Sequence, residues 1–199
     1  MHAKIDYYFT LTSPWSYFGL DRLRAFADRS GSQIAYKPMA LANIYPKTGG
    51  LPLPKRSPER QNYRLLELER WRAFLDLPLN LHPAFFPADD TLACRVVVAA
   101  VQAGHDVGPL CHSLHRLVWV DDKNIAEPVN IAAVLERKGL PASLLDAADG
   151  EAAIAGFDTN TAEALEKGVF GAPGYIIEDE LYWGQDRLDF VARRLGLSQ

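Results

Sequence analysis

The residues best suited to chemistry lie at positions 12–17 (TSPWSY), directly after a strand-like run. Serine is a favoured N-cap and proline a favoured first helical residue, so these residues predict a helix that begins after Ser13. Free backbone N–H groups and the helix dipole favour a bound anion at such a helix start. Ser13 is therefore either a plain helix cap or a hydroxyl that donates a hydrogen bond to an anion such as a thiolate, which would lower the pKa of the thiol.

Two segments near the C-terminus also contain residues that could bind a ligand. A proline enters a predicted strand at Pro173, after Gly171-Ala172. It is either an ordinary strand-start proline or a cis proline that turns the Ala172 backbone toward a ligand beside Ser13. Asp186 lies in the first turn of a predicted helix, where it either favours the helix dipole or binds the ammonium of an amino-acid-like ligand.

Other chemistries are less well supported by the residues. No GxSxG elbow accompanies Ser13, which argues against a Ser–His–Asp hydrolase. His112 and His115 have helical i, i+3 spacing, but no third metal ligand is evident, so we predict no metal site. Cys94 and Cys111 form no CxxC motif, and we expect two buried or partly buried reduced thiols.

Composition limits the classes of protein and partner. The 199 residues are 48% hydrophobic and 23% charged, with a net charge of -4, as in a soluble domain with or without an insertion. No block of lysine and arginine stands out, so we expect no nucleic-acid partner. The apolar run at 96–101 is too short to span a bilayer, and the N-terminus lacks a signal-peptide pattern. We therefore expect no membrane partner and a cytoplasmic location.

The predicted elements follow the order β-α-β, a helical insertion, then α-β-β-α. A strand at 5–10 leads into the helix after Ser13, and a second strand follows at 33–38. The Pro/Gly-rich residues 46–58 are predicted to be loop. The insertion is predicted to contain five helices, at 60–75, 91–103, 108–120, 127–138 and 141–148. An Asn160/Glu163 capping box is predicted to open the helix that Gly168 ends, before strands at 175–178 and 181–183 and a last helix. This order permits one mixed sheet covered on both faces, with the insertion as a lid. We divide the chain into a core of residues 1–45 and 157–199 and an insertion of residues 46–156.

Three runs of sequence carry a family resemblance. IDYYFTLTSPWSYFGLDRL, KGVFGAP and LYWGQDRLDFV resemble the 2-hydroxychromene-2-carboxylate isomerases, relatives of the kappa-class glutathione transferases in the DsbA-like branch of the thioredoxin superfamily. The resemblance implies an α/β thioredoxin-like core with a large all-helical insertion. It also implies a glutathione-dependent isomerase of aromatic catabolism that acts on a small aromatic carboxylate by reversible thiolate addition, and a homodimer.

The same resemblance assigns roles to individual residues. Ser13 falls at the catalytic serine, and Ser16 falls where a disulfide oxidoreductase has its second cysteine. The positions expected to bind glutathione are Ala172, Pro173, Trp183, Gly184, Gln185, Asp186 and, in place of a commoner asparagine, Gly50. Arg60 replaces a family lysine and is expected to hold the substrate carboxylate, with Lys55 as the alternative. Trp15, Tyr63 and Phe85 either line an apolar substrate pocket or belong to the core. Gly174 replaces the usual threonine after the proline, which removes a side chain near the site.

Two other functions fit the same sequence. One is a kappa-type glutathione transferase or peroxidase, which would consume glutathione instead of regenerating it. The other is a non-catalytic DsbA-like binding module that has lost its cysteines.

Overall fold

The computed structural model describes residues 3–197, which contain four strands and nine α-helices. The strands are β1 (Lys4–Phe9), β2 (Gln33–Pro38), β3 (Gly174–Ile177) and β4 (Glu180–Trp183). The helices are α1 (Pro14–Ser30), α2 (Leu41–Thr48), α3 (Pro58–Phe74), α4 (Thr91–Gln102), α5 (Gly108–Trp119), α6 (Pro128–Arg137), α7 (Ser143–Ala147), α8 (Glu151–Glu166) and α9 (Leu188–Arg194). No helix within residues 3–197 combines the length and apolarity needed to cross a bilayer.

The strands form one mixed sheet in the order β2-β1-β3-β4. The parallel pair β1 and β2 is joined through α1, whereas β3 runs antiparallel to both β1 and β4. Glu178 and Asp179 have positive φ angles of 48° and 67° in the tight turn between β3 and β4. The predicted mixed sheet is therefore confirmed.

The central strand β1 is buried on both faces of the sheet. Tyr7 and Phe9 face the larger core, which they share with α1, α4 and α5, and their rings stack with centroids 4.6 Å apart. Tyr8 points to the opposite face, into a smaller core with α2 and α8. Alternate side chains of one strand thus anchor both cores. This fixes the end of β1 next to the turn of residues 10–13, called the Ser13 turn below, in which the Ser13 N–H donates to the Thr10 carbonyl (3.1 Å).

The segment between β2 and β3 is helical, as predicted. Helix α4 is buried on most sides, with Val96 and Val97 fully enclosed in the core that also holds Tyr7. Leu114 of α5 belongs to the same core. The inserted helices therefore share one continuous apolar interior with the sheet.

One predicted loop is partly helical. Helix α2 continues through Pro46 to Thr48, and residues 53–55 form a 3-10 turn. Ile44 is fully buried in the smaller core and holds this short helix in place although Pro46 cannot donate a backbone hydrogen bond. Burial of one side chain thus outweighs the local preference that predicted a loop.

The predicted capping box at Asn160 and Glu163 is wrong. Helix α8 already begins at Glu151, so both residues lie within it, and the predicted boundary at 156/157 falls inside the helix. The Asn160 side-chain amide donates to the Pro38 carbonyl (3.2 Å), and Glu163 pairs with Lys37. These polar side chains bind β2 instead of capping a helix end.

Candidate functional site

Ser13 is the N-cap of α1 and is only 7% exposed. Its Oγ accepts a hydrogen bond from the Ser16 N–H (3.2 Å) and donates one to the Ala172 carbonyl (3.5 Å). The Ala172–Pro173 peptide bond is cis, which is one of the two alternatives that the sequence left open. The structure thus brings the Ser13 turn and the Ala172–Pro173 segment together across 159 positions of sequence.

The carboxylate of Asp90, which was not predicted from the sequence, binds the Ser13 turn through hydrogen bonds. Asp90, directly before α4, accepts hydrogen bonds from the Thr12 N–H (2.9 Å), from the Thr12 hydroxyl (3.1 Å) and from the Thr10 hydroxyl. Burial raises the pKa of the Asp90 carboxyl, although these bonds oppose the rise. Its position ahead of a helix was a visible signal for a cap, but not for this contact.

A buried histidine supports the same turn. The Nδ1 of His115 donates to the Leu11 carbonyl (2.9 Å), and its Nε2 has no hydrogen-bond partner among the described residues. Burial lowers the pKa of His115 to about 3, so the ring is neutral at physiological pH. His112, the other half of the i, i+3 pair, instead faces Asp21 at 2.9 Å. Residues 3–197 hold no cluster of three or more potential metal ligands.

The two cysteines are buried and unpaired, as predicted. Burial raises the pKa of both thiols, Cys94 in α4 and Cys111 in α5. A thiol needs its thiolate form to act as a nucleophile, so neither side chain supplies one. A reactive thiol at this site must come from a bound molecule.

The segment around Gly184 and Asp186 lies next to the Ala172–Pro173 segment. The Gly184 N–H donates to the Pro173 carbonyl (2.9 Å). Gly184 has a φ of 98°, and a Cβ built on it would lie 2.5 Å from an Asp186 carboxylate oxygen. Glycine is therefore needed here for its backbone conformation and for space. The Asp186 carboxylate is exposed, with the Arg187 guanidinium at 3.4 Å.

The two residues beside Gly184 differ in what they present. Gln185 is 2% exposed, and its side-chain oxygen accepts from Arg22 Nη1 (2.9 Å), so it braces the segment against α1. Trp183 is half exposed, and its ring centroid lies 4.7 Å from that of Phe170. A Cβ on Gly171 would lie 2.4 Å from Trp183 Nε1, so Gly171 gives this indole its space.

The predicted substrate residues are only partly brought together. A cavity of about 420 Å³ between α1 and α3 includes Trp15, Arg60 and Tyr63 in its lining. Lys55 and Phe85 are exposed and lie outside that lining. The full lining is Trp15, Arg56, Glu59, Arg60, Tyr63, Arg64 and Glu67. Arg56 and Arg64 were missed because nothing in the local sequence separates them from other surface arginines.

Gly50, which the resemblance leads us to expect in the glutathione site, packs closely against an aromatic ring. A Cβ built on Gly50 would lie 2.1 Å from Cδ1 of Tyr45, and its N–H donates to the Tyr45 carbonyl (3.1 Å). A larger residue would therefore require the Tyr45 ring to move. The phenol of Tyr45 is in turn within 3.4 Å of Arg56 Nη2.

The fold and the sequence place the chain in one family. The sequence pattern of the DSBA-like thioredoxin domain matches residues 4–196. The chain belongs to the family of DSBA-like thioredoxin domains, and the predicted fold class is confirmed.

Within this family, the chain is similar to isomerases and to a kappa-class glutathione transferase. The 2-hydroxychromene-2-carboxylate isomerase of Sphingobium xenophagum is 29% identical over 96% of this chain and 97% of its own length. A solved structure of a 2-hydroxychromene-2-carboxylate isomerase superposes with a TM-score of 0.79 at 26% identity, covering 97% of this chain and 94% of the other. Glutathione S-transferase kappa 1 of Rattus norvegicus is 23% identical over 96% of this chain and 90% of its own length. These similarities support an isomerase.

Proposed function

We propose that this protein is a glutathione-dependent isomerase of 2-hydroxychromene-2-carboxylate or a similar small aromatic carboxylate. The observation that carries the proposal is the Ser13 hydroxyl, held at the start of α1 beside the Ala172 carbonyl with no reactive cysteine in the turn. The named isomerase relatives favour the reaction, and the kappa-class relative favours glutathione.

The residues present suit glutathione chemically. Ser13 offers a hydroxyl donor to a thiolate, at a helix start that favours negative charge. The Ala172 backbone lies beside it and would hold the glutathione cysteine. Asp186 presents an exposed carboxylate for the ammonium of the γ-glutamyl end, and Gly184 leaves it the room to do so. Gln185, engaged with Arg22, positions this segment.

Ser13 can serve a thiolate without giving up its role as a cap. A hydroxyl has one donor and two acceptor positions, and the cap uses only an acceptor position. Its donor is used weakly, at 3.5 Å from the Ala172 oxygen, and can turn toward sulfur. When bound, glutathione would supply a thiolate nucleophile for reversible addition to a conjugated carbon of the substrate. Ser13 then holds the thiol in its reactive, deprotonated form.

Replacement of Ser13 by alanine tests the proposal. Loss of a hydrogen bond to a charged group costs roughly 1.5–3 kcal/mol, so the pKa of bound glutathione should rise by about 1–2 units in Ser13→Ala. Turnover should fall by about tenfold or more. Thiolate ultraviolet absorbance across a pH series measures the first effect, and a spectrophotometric isomerisation assay measures the second.

Ser13→Thr is the matched control, because it keeps the hydroxyl and the cap and should keep most of the thiol shift. The glutathione mechanism is wrong if Ser13→Ala leaves both the thiol titration and the rate unchanged.

A kappa-type transferase or peroxidase is the second candidate, favoured by the kappa-class relative. Isomerisation returns glutathione, whereas conjugation or peroxide reduction consumes it. Counting free thiols before and after complete turnover separates these reactions. A chain that fails to bind glutathione at all would instead be a DsbA-like binding module.

Three expectations of the sequence analysis are kept within this proposal. They are the homodimer, the cytoplasmic location, and the division into a core (1–45 and 157–199) and an insertion (46–156). Sedimentation of the purified chain tests the first of them.

A further inference from the structure

One guanidinium in the α1–α3 cavity has an unusual setting. The Cζ of Arg64 lies 5.3 Å from the Phe86 ring centroid and 5.9 Å from that of Trp119, so two aromatic rings hold it. Burial and the neighbouring Arg56 lower the pKa of Arg64 to about 10, which leaves it charged at neutral pH. Among residues 3–197, no carboxylate lies within ion-pair distance of it.

The acidic residues of the same cavity do not neutralise Arg64. Glu67 is paired with Arg70 at 2.6 Å. Glu59 is exposed in the first turn of α3. A partly buried charge without a counter-ion is costly, and a bound anion would offset that cost.

A second guanidinium is fixed nearby. Arg56 Nε donates to the Leu51 carbonyl (2.8 Å), and its Nη2 lies 3.4 Å from the Tyr45 hydroxyl. These contacts hold the Arg56 fork in the loop before α3, on the wall of the cavity that Arg64 also lines. Two pre-positioned forks suit a carboxylate, which accepts paired N–H donors from arginine.

The cavity adjoins the proposed reaction site. Trp15, two residues after Ser13, belongs to its lining together with Arg64. A volume of about 420 Å³ lies in the usual range for pockets that bind small molecules. An aromatic carboxylate bound there would have its anionic end at the arginines and its ring toward Trp15.

We propose that Arg64, assisted by Arg56, binds the carboxylate of the substrate. The expected carboxylate ligands Arg60 and Lys55 are both exposed, and Lys55 lies outside the cavity lining. This inference rests on the proposed function for the identity of the substrate, but the anion site itself depends only on the cavity.

The test uses two unreactive bicyclic probes, chromone-2-carboxylate and chromone-2-carboxamide, with calorimetry on the full chain. The wild type should bind the carboxylate more tightly than the carboxamide. In Arg64→Met, which keeps an apolar stem against Phe86 and Trp119, the Kd of the carboxylate should rise by about 10- to 100-fold. The Kd of the carboxamide should change by less than about threefold, because the amide carries no charge.

Arg60→Met, four residues earlier on α3, tests the alternative ligand and should raise the carboxylate Kd by less than Arg64→Met does. Arg72→Met, on α3 but outside the cavity lining, is the matched control and should change the carboxylate Kd by less than about threefold. Arg64→Lys keeps the charge without the fork and should fall between Arg64→Met and the wild type. Arg56→Gln should weaken carboxylate binding selectively, and it tests the site again if Arg64→Met does not fold.

Three results would overturn the anion site: equal binding of both probes by the wild type, equal losses for both probes in Arg64→Met, or a larger loss in Arg60→Met. The glutathione thiol titration separates this test from the proposed function. Both proposals are supported if Arg64→Met loses its selectivity for the carboxylate while the thiol pKa of its bound glutathione stays as low as in the wild type. Selective carboxylate loss together with no effect of Ser13→Ala keeps the anion site and rejects the glutathione mechanism.

Discussion

Replacing His115 should remove an acid sensitivity that is built into the support of the Ser13 turn. The ring is fully buried and donates from Nδ1 to the Leu11 carbonyl, and within residues 3–197 its Nε2 has no hydrogen-bond partner. Protonation would place a charge where no acceptor compensates it. His115→Gln removes the titrating ring and keeps an N–H donor that can reach Leu11.

The size of the effect follows from the pKa of the ring. An unfolded histidine titrates near 6.5, whereas His115 titrates at about 3 when the chain is folded. The unfolded state therefore binds more protons between these values, and the wild type loses stability as pH falls through that window. From pH 7 to pH 4 the loss due to His115 is about 3 kcal/mol, at about 1.4 kcal/mol per pH unit below 6.5.

Urea unfolding at pH 7, 6, 5 and 4, followed by tryptophan fluorescence, gives the free energy of unfolding at each pH. At pH 7 His115→Gln should be less stable than the wild type by about 1–3 kcal/mol, since a buried contact is disturbed. That gap should close or reverse by pH 4, because only the wild type pays to keep the ring neutral. Carboxylates whose pKa is shifted without a contribution from His115, such as Asp89, are common to both proteins and cancel in the difference.

His115→Phe is the matched control. It cannot donate to Leu11, so its stability at pH 7 should differ from that of His115→Gln, but it should show the same reduced dependence on pH. A stability gap between wild type and His115→Gln that is the same at pH 7 and pH 4 would refute the reasoning, since the ring would then be titrating normally.

Two further substitutions address the contacts around the site. The Asp90→Asn variant should gain stability relative to the wild type as pH rises above 3.8, because a carboxyl whose pKa is raised by folding contributes its stability at low pH. The free energies of unfolding of the two proteins should therefore diverge with pH, and a constant difference between them would contradict the buried state of this carboxyl. In Gly184→Ala the added Cβ would meet the Asp186 carboxylate, so the free energy of unfolding should fall by about 1–2 kcal/mol. Glutathione should also bind at least about threefold more weakly. Calorimetry that shows an unchanged affinity for glutathione would remove Asp186 from the proposed site.

The sequence predicted what depends on neighbouring residues. The cap at Ser13, the proline at α1 and the burial of β1 all follow from residues within a few positions, and the structure confirms them. The Asn160 cap was wrong because the same residues also suit the middle of a longer helix. Polar residues in a helix interior can bind outward, as Asn160 does to Pro38, and local pattern does not reveal that partner.

The supports of the turn could not be predicted in this way. Asp90 lies 78 positions from Thr12, and His115 lies 104 positions from Leu11. The arginines of α3 present the same difficulty on a smaller scale. Arg60 and Arg64 are one helical turn apart, and only the return of Phe86 and Trp119 beside the helix distinguishes them.

The bonds from Asp90 and His115 to residues 10–12 make the inserted helices part of the machinery of the turn. Replacing these helices with those of a relative would therefore change the support of the turn as well as the lining of the cavity. The new helices would have to supply a carboxylate in place of Asp90 and a hydrogen-bond donor in place of His115. A chimera that joins foreign helices to this sheet should recover activity only when those two side chains travel with them. The turn and its two supports therefore form one structural unit, although the chain order separates them.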